Sequence, residues 1–364
     1  MENMVETLKT TFEGQRILIT GHTGFKGSWL TEWLSDYNVE LFGLSDKYED
    51  KAYYHQAKLS KKFESEVFCD VANVEEVTTY INNIKPDFIF HLAAQAIVSE
   101  SYKISFKTFQ TNTLGFASIL EACKSLTSSC QVVMVSTDKC YHNAEWVWGY
   151  RENDRFGGDD PYSASKGAAE IVFHSYYKSF FQHDHPVKIA SVRAGNVIGG
   201  GDWSTNRIVP DFYKALISGN DMLIRNPIAV RPWQHVLEPL FGYMITAQSL
   251  ATNSDINGEG FNFGPDMQSC LSVDDLISGL NKLAGNKTNV IYGNKAEFKE
   301  AGILKLNTDK AKQLLKWYPV LSFNETLQKV SDWYLGSINN NPITELTKQQ
   351  IGMFKKTIKD KWII

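Results

Sequence analysis

The run Arg-Ile-Leu-Ile-Thr at 16–20 ends directly on Gly21-His-Thr-Gly-Phe-Lys-Gly27, and a helical apolar pattern at 25–35 follows at once. A buried strand, a turn with three glycines and a helix in immediate succession leave few architectures open. Bare backbone at Gly21, Gly24 and Gly27 allows a turn too tight for side chains, and the helix begins with its free N–H groups facing the strand end. A second apolar run at 39–44 completes a βαβ unit.

The same alternation continues. Short strand patterns at 67–68, 88–92, 132–136 and 189–192 are interleaved with helical patterns at 74–83, 109–124 and 163–181. Regular alternation predicts an α/β fold, a doubly wound parallel sheet of Rossmann type. Beyond Arg193 the pattern loosens into Gly199-Gly-Gly-Asp202. The first unit is therefore expected to span 1–195, with a smaller carboxy-terminal lobe over most of 196–364. The chain is expected to return to the first unit near 232–265, where Phe261-Asn-Phe-Gly-Pro265 reads as a strand and turn; 309–315 reads as a helix.

Composition narrows the function classes. The 364 residues are 43% hydrophobic and 21% charged, enough for a sizeable core, and the net charge of −4 offers no basic field for nucleic acid. Five cysteines without C-x-x-C spacing fit a reduced cytoplasm. The polar stretch 1–15 does not read as a secretory signal, and no apolar run approaches the roughly 18 residues of a membrane span. A cytoplasmic protein without a membrane partner is expected.

The turn's spacing, Gly21-x-x-Gly24-x-x-Gly27, differs by one residue from the common dinucleotide fingerprint but retains its physics, a helix amino terminus aimed at a pyrophosphate. Thr23 and Phe25 belong to this turn. Asp70, followed by Val71, is a candidate acceptor for an adenine amino group, and Leu92-Ala-Ala-Gln95 ends the fourth strand with Ala93 and Ala94 small enough for close approach. Thr111 and Ser136 complete the expected cofactor contacts. The ribose acceptor is Asp46, or Ser45, which lies nearer the strand end. No arginine follows the second strand, which favours NAD over NADP.

Tyr162 and Lys166 stand four residues apart, on one face of a helix that Asp160-Pro161 starts. A phenol with a pKa of about 10 is a poor base at neutral pH, and an ammonium one turn away is expected to lower it. Upstream, Ser136-Thr-Asp-Lys139 follows the fifth strand, bringing a hydroxyl, a carboxyl and an amine to the same sheet edge.

The residues Gly21-His-Thr-Gly-Phe-Lys-Gly-Ser-Trp-Leu30, Ser136-Thr-Asp-Lys-Cys-Tyr141, Trp148-Gly-Tyr-Arg-Glu-Asn153, Arg193-Ala-Gly-Asn-Val-Ile-Gly-Gly-Gly-Asp-Trp203 and Arg231-Pro-Trp-Gln-His-Val236 carry a resemblance over nearly the whole chain. It resembles the extended short-chain dehydrogenase/reductases, and among them the CDP-glucose 4,6-dehydratases. The resemblance implies bound NAD, CDP-glucose as substrate, oxidation at C4, loss of water across C5 and C6, and return of the hydride to C6. It further implies Tyr162 as base for the C4 hydroxyl, Lys166 as its tuning cation and ribose ligand, and Thr137 as a hydroxyl partner of the sugar. Asp138 is implied as the acid for the departing C6 hydroxyl. Lys139 stands where related dehydratases usually carry glutamate. It is expected either to remove the C5 proton as a neutral amine, desolvated or crowded by Lys166, or to stabilise the enolate as a cation. Arg207 and Arg231 are candidates for the diphosphate, and Asn196 for sugar or diphosphate.

Other features carry weaker expectations. His183-Asp-His185 reads as a solvated loop rather than a metal site, and no metal is expected. Trp146, Trp148 and Tyr150 read as a lid over the sugar, with loop packing as the alternative. The basic, apolar tail at 355–364 is expected to dock on its own lobe or on a second subunit. Helices at 109–124 and 163–181 expose more apolar surface than one sheet face covers, which predicts a homodimer or a higher homo-oligomer. A nucleotide-sugar 4-epimerase, a dehydratase of another NDP-hexose or heptose, and a catalytically silent NAD-binding regulator remain the rival readings.

Overall fold

A computed structural model describes residues 4–46, 52–266, 270–293 and 302–362. Seven parallel strands form its central sheet: β1 (Arg16–Thr20), β2 (Glu40–Ser45), β3 (Ser65–Phe68), β4 (Phe88–His91), β5 (Cys130–Val135), β6 (Val187–Ala194) and the later strand Gly260–Phe263. Across the sheet the order is Gly260–Phe263, β6, β5, β4, β1, β2, β3. The chain thus starts near the middle, builds outward on one side and then crosses to the other. That reversal opens a crevice at the carboxyl ends of β1 and β4.

Burial on both faces explains the continuous apolar strands: β1, β4 and β5 are buried almost throughout. One face is covered by helix α1 (Met4–Phe12), by helix α2 (Phe25–Leu34) and by the helix Leu237–Thr252. The other is covered by the helices Val74–Ile84, Gly115–Cys123 and Pro161–Tyr176. Helix α1 follows from Val5, Leu8 and Phe12, which share one buried stripe. Two helices carry a wider turn: Gln110–Leu114 precedes Gly115–Cys123, and Tyr177–Phe181 prolongs the Tyr162 helix.

The strand Gly260–Phe263 pairs in parallel with β6 at the edge of the sheet. The remaining segments include the helices Ile208–Ser218, Val273–Leu283 and Phe323–Ile338 and the short pair Met222–Ile224 with Val290–Tyr292. They meet the first unit at the Gly199–Gly201 run. Trp29 Nε1 donates to Gly200 O at 2.9 Å, and Trp333 lies against the same run, where a Cβ on Gly200 would come within 2.0 Å of the indole.

The tail helix Ile343–Lys361 packs within the chain, touching both the helix Phe323–Ile338 and the first-half helices α1 and α2. Phe354 meets Trp33 edge-on at 5.7 Å, and Lys355 and Lys359 pair with Asp36 and Glu6. Residues 363–364 of that tail lie outside the described residues. No helix among the described residues is long and apolar enough to cross a membrane.

Candidate active site

A cleft of about 850 Å³ runs along the carboxyl ends of the strands and under the lobe, and every residue singled out above for cofactor, catalysis or substrate lines it. Gly21 adopts φ +69°, and a Cβ there would meet Ala93 N at 2.7 Å; one on Gly27 would meet Gly21 O at 2.3 Å. Side chains are thereby excluded from the turn. Gly24 caps α2 without a side-chain hydrogen bond, leaving the helix's first N–H groups open to an anion.

Around this turn the cleft is polar at defined points. Thr23 Oγ1 and Ser45 Oγ lie 3.0 Å apart, Asp46 follows β2 at the surface, and Asp70 is held by Ala72 N at 3.1 Å and by an ion pair with Lys107. Burial works to raise Asp70, but those two donors hold its carboxyl below the ordinary value. Gln95 is fixed from both sides by Asn112, whose amide also donates to Ser165 Oγ. Gln95 Oε1 and Ser136 Oγ are buried without hydrogen-bond partners. A glycine cradle, an open helix terminus and unsatisfied buried polar atoms in one crevice fit a dinucleotide.

The chemical end lies between β5 and the helix Pro161–Tyr176. Asp160 starts this helix, Oδ1 accepting from Ser163 N at 2.9 Å, with Pro161 in the first turn. The turn Asp138–Cys140 begins at Thr137, whose Oγ1 accepts from Lys139 N and donates to Asp138 Oδ1 at 2.9 Å. Asp138 is buried, its Oδ2 has no hydrogen-bond partner, and burial pushes its carboxyl up against the opposing charges of Lys139 and Arg231. Burial thus works in the direction that a proton donor needs.

Tyr162 departs from expectation. Burial raises its phenol to about 12; a hydrogen bond with Thr137 opposes the rise and the nearby Asp138 adds to it. Lys166 is itself buried and pushed down to about 8, with Glu170 opposing that fall, and its Nζ approaches Val135 O at 3.5 Å. Desolvation therefore outweighs the neighbouring ammonium.

A desolvated amine, one of the two expectations for Lys139, is present at a second lysine of the cleft. Lys139 is only partly buried. Lys26, inside the glycine turn and likewise partly buried, is pushed down to about 7 by desolvation of its amine and by the charges of Arg207 and Lys166, and its Nζ donates to Tyr243 Oη at 3.2 Å. Sequence reading passed over Lys26 as part of a fingerprint; the usable signal was a charged residue on the first turn of a helix whose next five residues are uncharged. His22 was missed likewise. Its ring is buried beneath β2, Nε2 2.9 Å from Glu66 Oε1, and Gly43 leaves it room.

On the lobe side, Arg207 pairs with Asp202 at 2.9 Å, Arg231 Nη1 donates to Val230 O and Gly302 O, and Asn196 opens the segment crossing the cleft. Trp146, Trp148 and Tyr150 do not line the cleft. Tyr150 is buried and stacks on Trp146 and Tyr141, packing the loop against Leu304 and Leu306. Trp146 and Tyr150 are loop packing, whereas Trp148, edge-on to Trp146 at 5.9 Å, is 67% exposed. His185 is engaged within its own loop, Nδ1 accepting from Val187 N, and among the described residues no group of three His, Cys, Asp or Glu is placed to hold a metal.

A nucleotide-binding crevice joined to a Tyr-x-x-x-Lys helix defines the extended short-chain dehydrogenase/reductase class. The family model described as GDP-mannose 4,6 dehydratase matches residues 18–330, and the chain belongs to that family. It is 39% identical to the CDP-glucose 4,6-dehydratase of Salmonella typhimurium, across 94% of this chain and 97% of that one. It is 26% identical to the CDP-paratose 2-epimerase of Salmonella typhi, across 87% and 98%. Among solved structures, the epimerase Mth375 of Methanothermobacter thermautotrophicus superposes with a TM-score of 0.79 at 21% identity, covering 93% of this chain and 97% of that one. The dTDP-glucose 4,6-dehydratase of Bacillus anthracis, in complex with NAD, gives 0.73 at 22%, covering 91% and 100%.

Proposed function

We propose that this chain is a hydro-lyase that converts CDP-glucose to CDP-4-keto-6-deoxyglucose with NAD as a recycled cofactor. The observation that carries the reading is Asp138, a buried carboxyl whose ionisation burial opposes, placed beside Thr137 and Tyr162. A 4-epimerase has no use for such an acid, because it expels no leaving group. The 39% identity to a CDP-glucose 4,6-dehydratase supports the choice of sugar nucleotide.

The chemistry supplied by bound NAD is reversible two-electron transfer, taking a hydride from C4 and returning it to C6. The glycine turn and the start of α2 hold its pyrophosphate, Asp46 and Ser45 face the ribose, and Asp70 serves the adenine. Arg207 and Arg231 pair with the substrate diphosphate, and Asn196 binds between sugar and diphosphate. Tyr162, aided by Thr137, takes the C4 hydroxyl proton, while Lys166 holds the nicotinamide ribose. Asp138 gives its proton to the C6 hydroxyl, which leaves as water. Lys139 serves C5, whose proton is lost as the double bond forms and regained once C6 is reduced.

The division into a nucleotide-binding unit, 1–195 with a return near 232–265, and a lobe over most of 196–364 belongs to the same reading. So do a cytoplasmic location, consistent with five unpaired thiols, and a homodimer through the Tyr162 helix and its neighbour, where Phe106, Leu114, Ile171 and Phe180 are exposed. The test is incubation of the purified protein with NAD and CDP-, dTDP-, UDP- or GDP-glucose, followed by the alkali-induced absorbance of a 4-keto sugar. CDP-glucose alone is expected to give the ketone. An epimerised, unreduced hexose would place the chain with the 4-epimerases, and absence of any product would leave the NAD-binding regulator.

A further inference from the structure

Arg193 lies outside the cleft, yet all five of its guanidinium N–H donors have acceptors. Nε and Nη2 reach Glu170 Oε1 and Oε2, each at 2.8 Å; Nη1 reaches Tyr141 Oη at 2.6 Å and Glu152 O at 3.1 Å; Nη2 also reaches Ser191 Oγ at 3.3 Å. The Tyr141 hydroxyl in turn donates to Asn262 Oδ1 at 2.8 Å, and the Asn262 amide donates to Tyr150 O and Asn307 O. Arg193, Glu170 and Tyr141 are all buried. A bidentate, fully satisfied guanidinium is a rigid joint, because its planar fork fixes direction as well as distance. Room for it is kept by Gly260, where a Cβ would come within 2.7 Å of Nη2.

What the joint connects is specific. Glu170 sits one turn beyond Lys166 on the Tyr162 helix, and Tyr141 follows directly on the turn that holds Asp138 and Lys139. One cation therefore ties together the two elements that carry the redox pair and the elimination pair. Resting on the dehydratase reading, we propose that Arg193, Glu170 and Tyr141 are positioning residues that hold the Asp138–Lys139 turn in register with the Tyr162 helix, and so keep water loss coupled to oxidation at C4. The same Glu170 also opposes the fall of the Lys166 amine.

Tyr141→Phe tests this with least disturbance. The ring, stacked on Tyr150 at 5.4 Å, is retained, while Arg193 loses one acceptor and Asn262 its donor. The holoenzyme is given CDP-glucose, and ketone formation, KM and the near-ultraviolet absorbance of the reduced cofactor are followed together with thermal melting. The expected result is a fall in kcat of about tenfold or more with KM within about twofold, and accumulation of reduced cofactor, because oxidation proceeds while elimination lags. An unchanged ratio of the two steps overturns the proposal, as does a loss of both in proportion to a lowered melting temperature. Should Tyr141→Phe not fold, Ser191→Ala removes another contact of the same joint and is read by the same criteria. Ketone formation by the wild-type protein, measured in parallel, tests the dehydratase reading alone.

Discussion

Asp138 and Lys26 show how burial sets chemistry one residue at a time. Asp138 is raised in the folded chain, so its stabilising contribution is present below the ordinary carboxylate value of 3.8 and is lost as pH rises through the folded value. Asp138→Asn is therefore expected to melt no lower than the parent at neutral pH while ketone formation falls by about 10²–10⁴, the usual worth of a positioned proton donor; calorimetry and the alkali assay check the two halves. Lys26 has the opposite sign of shift for a base. Its folded value of about 7 lies below 10.5, so the unfolded chain binds more protons between those limits and stability rises with pH across them. Lys26→Met should raise the melting temperature at pH 7, with the advantage shrinking toward pH 10, as a pH series of melts would show. Residue types at the site were legible, because their spacing put them at strand ends. Their charge states were not: the phenol at Tyr162 and the amine at Lys26 depend on how much water the lobe excludes, and that is fixed by distant sequence.

At the level of elements, the strands and the long helices follow from local pattern, and boundaries moved by only a few residues: 163–181 was expected where Pro161–Tyr176 and Tyr177–Phe181 stand. The wider turns were not legible, since nothing in Gln110–Leu114 distinguishes its composition from an ordinary helix and Asn112 earns its conformation from Gln95 and Ser165. Helix α1 was overlooked because its charged residues mask Val5, Leu8 and Phe12. The start of the Tyr162 helix was readable, and it makes a quantitative claim. Asp160→Ala removes the cap on Ser163 N and should cost about 1 kcal/mol in chemical denaturation, with a larger proportional loss of kcat than of substrate affinity, because Tyr162 lies in that first turn.

For the whole molecule, surface chemistry makes the next claim. Phe106 is 82% exposed and Leu114 55%, more than an isolated chain gains from keeping there. Phe106→Asp combined with Leu114→Asp is expected to convert a dimer to a monomer in sedimentation; a parent that already sediments as a monomer would contradict the homodimer. The lobe was the least legible part, because its segments are short and take their order from the sheet they rest on. That dependence has a practical side in the seam at Gly200. An alanine there would drive its methyl into the Trp333 indole, and Trp29 Nε1 reaches the Gly200 carbonyl from the first unit, so a chimera that grafts a relative's sugar-recognition half onto this chain keeps the joint only if the graft brings its own small residue and matching ring and still offers Trp29 that carbonyl.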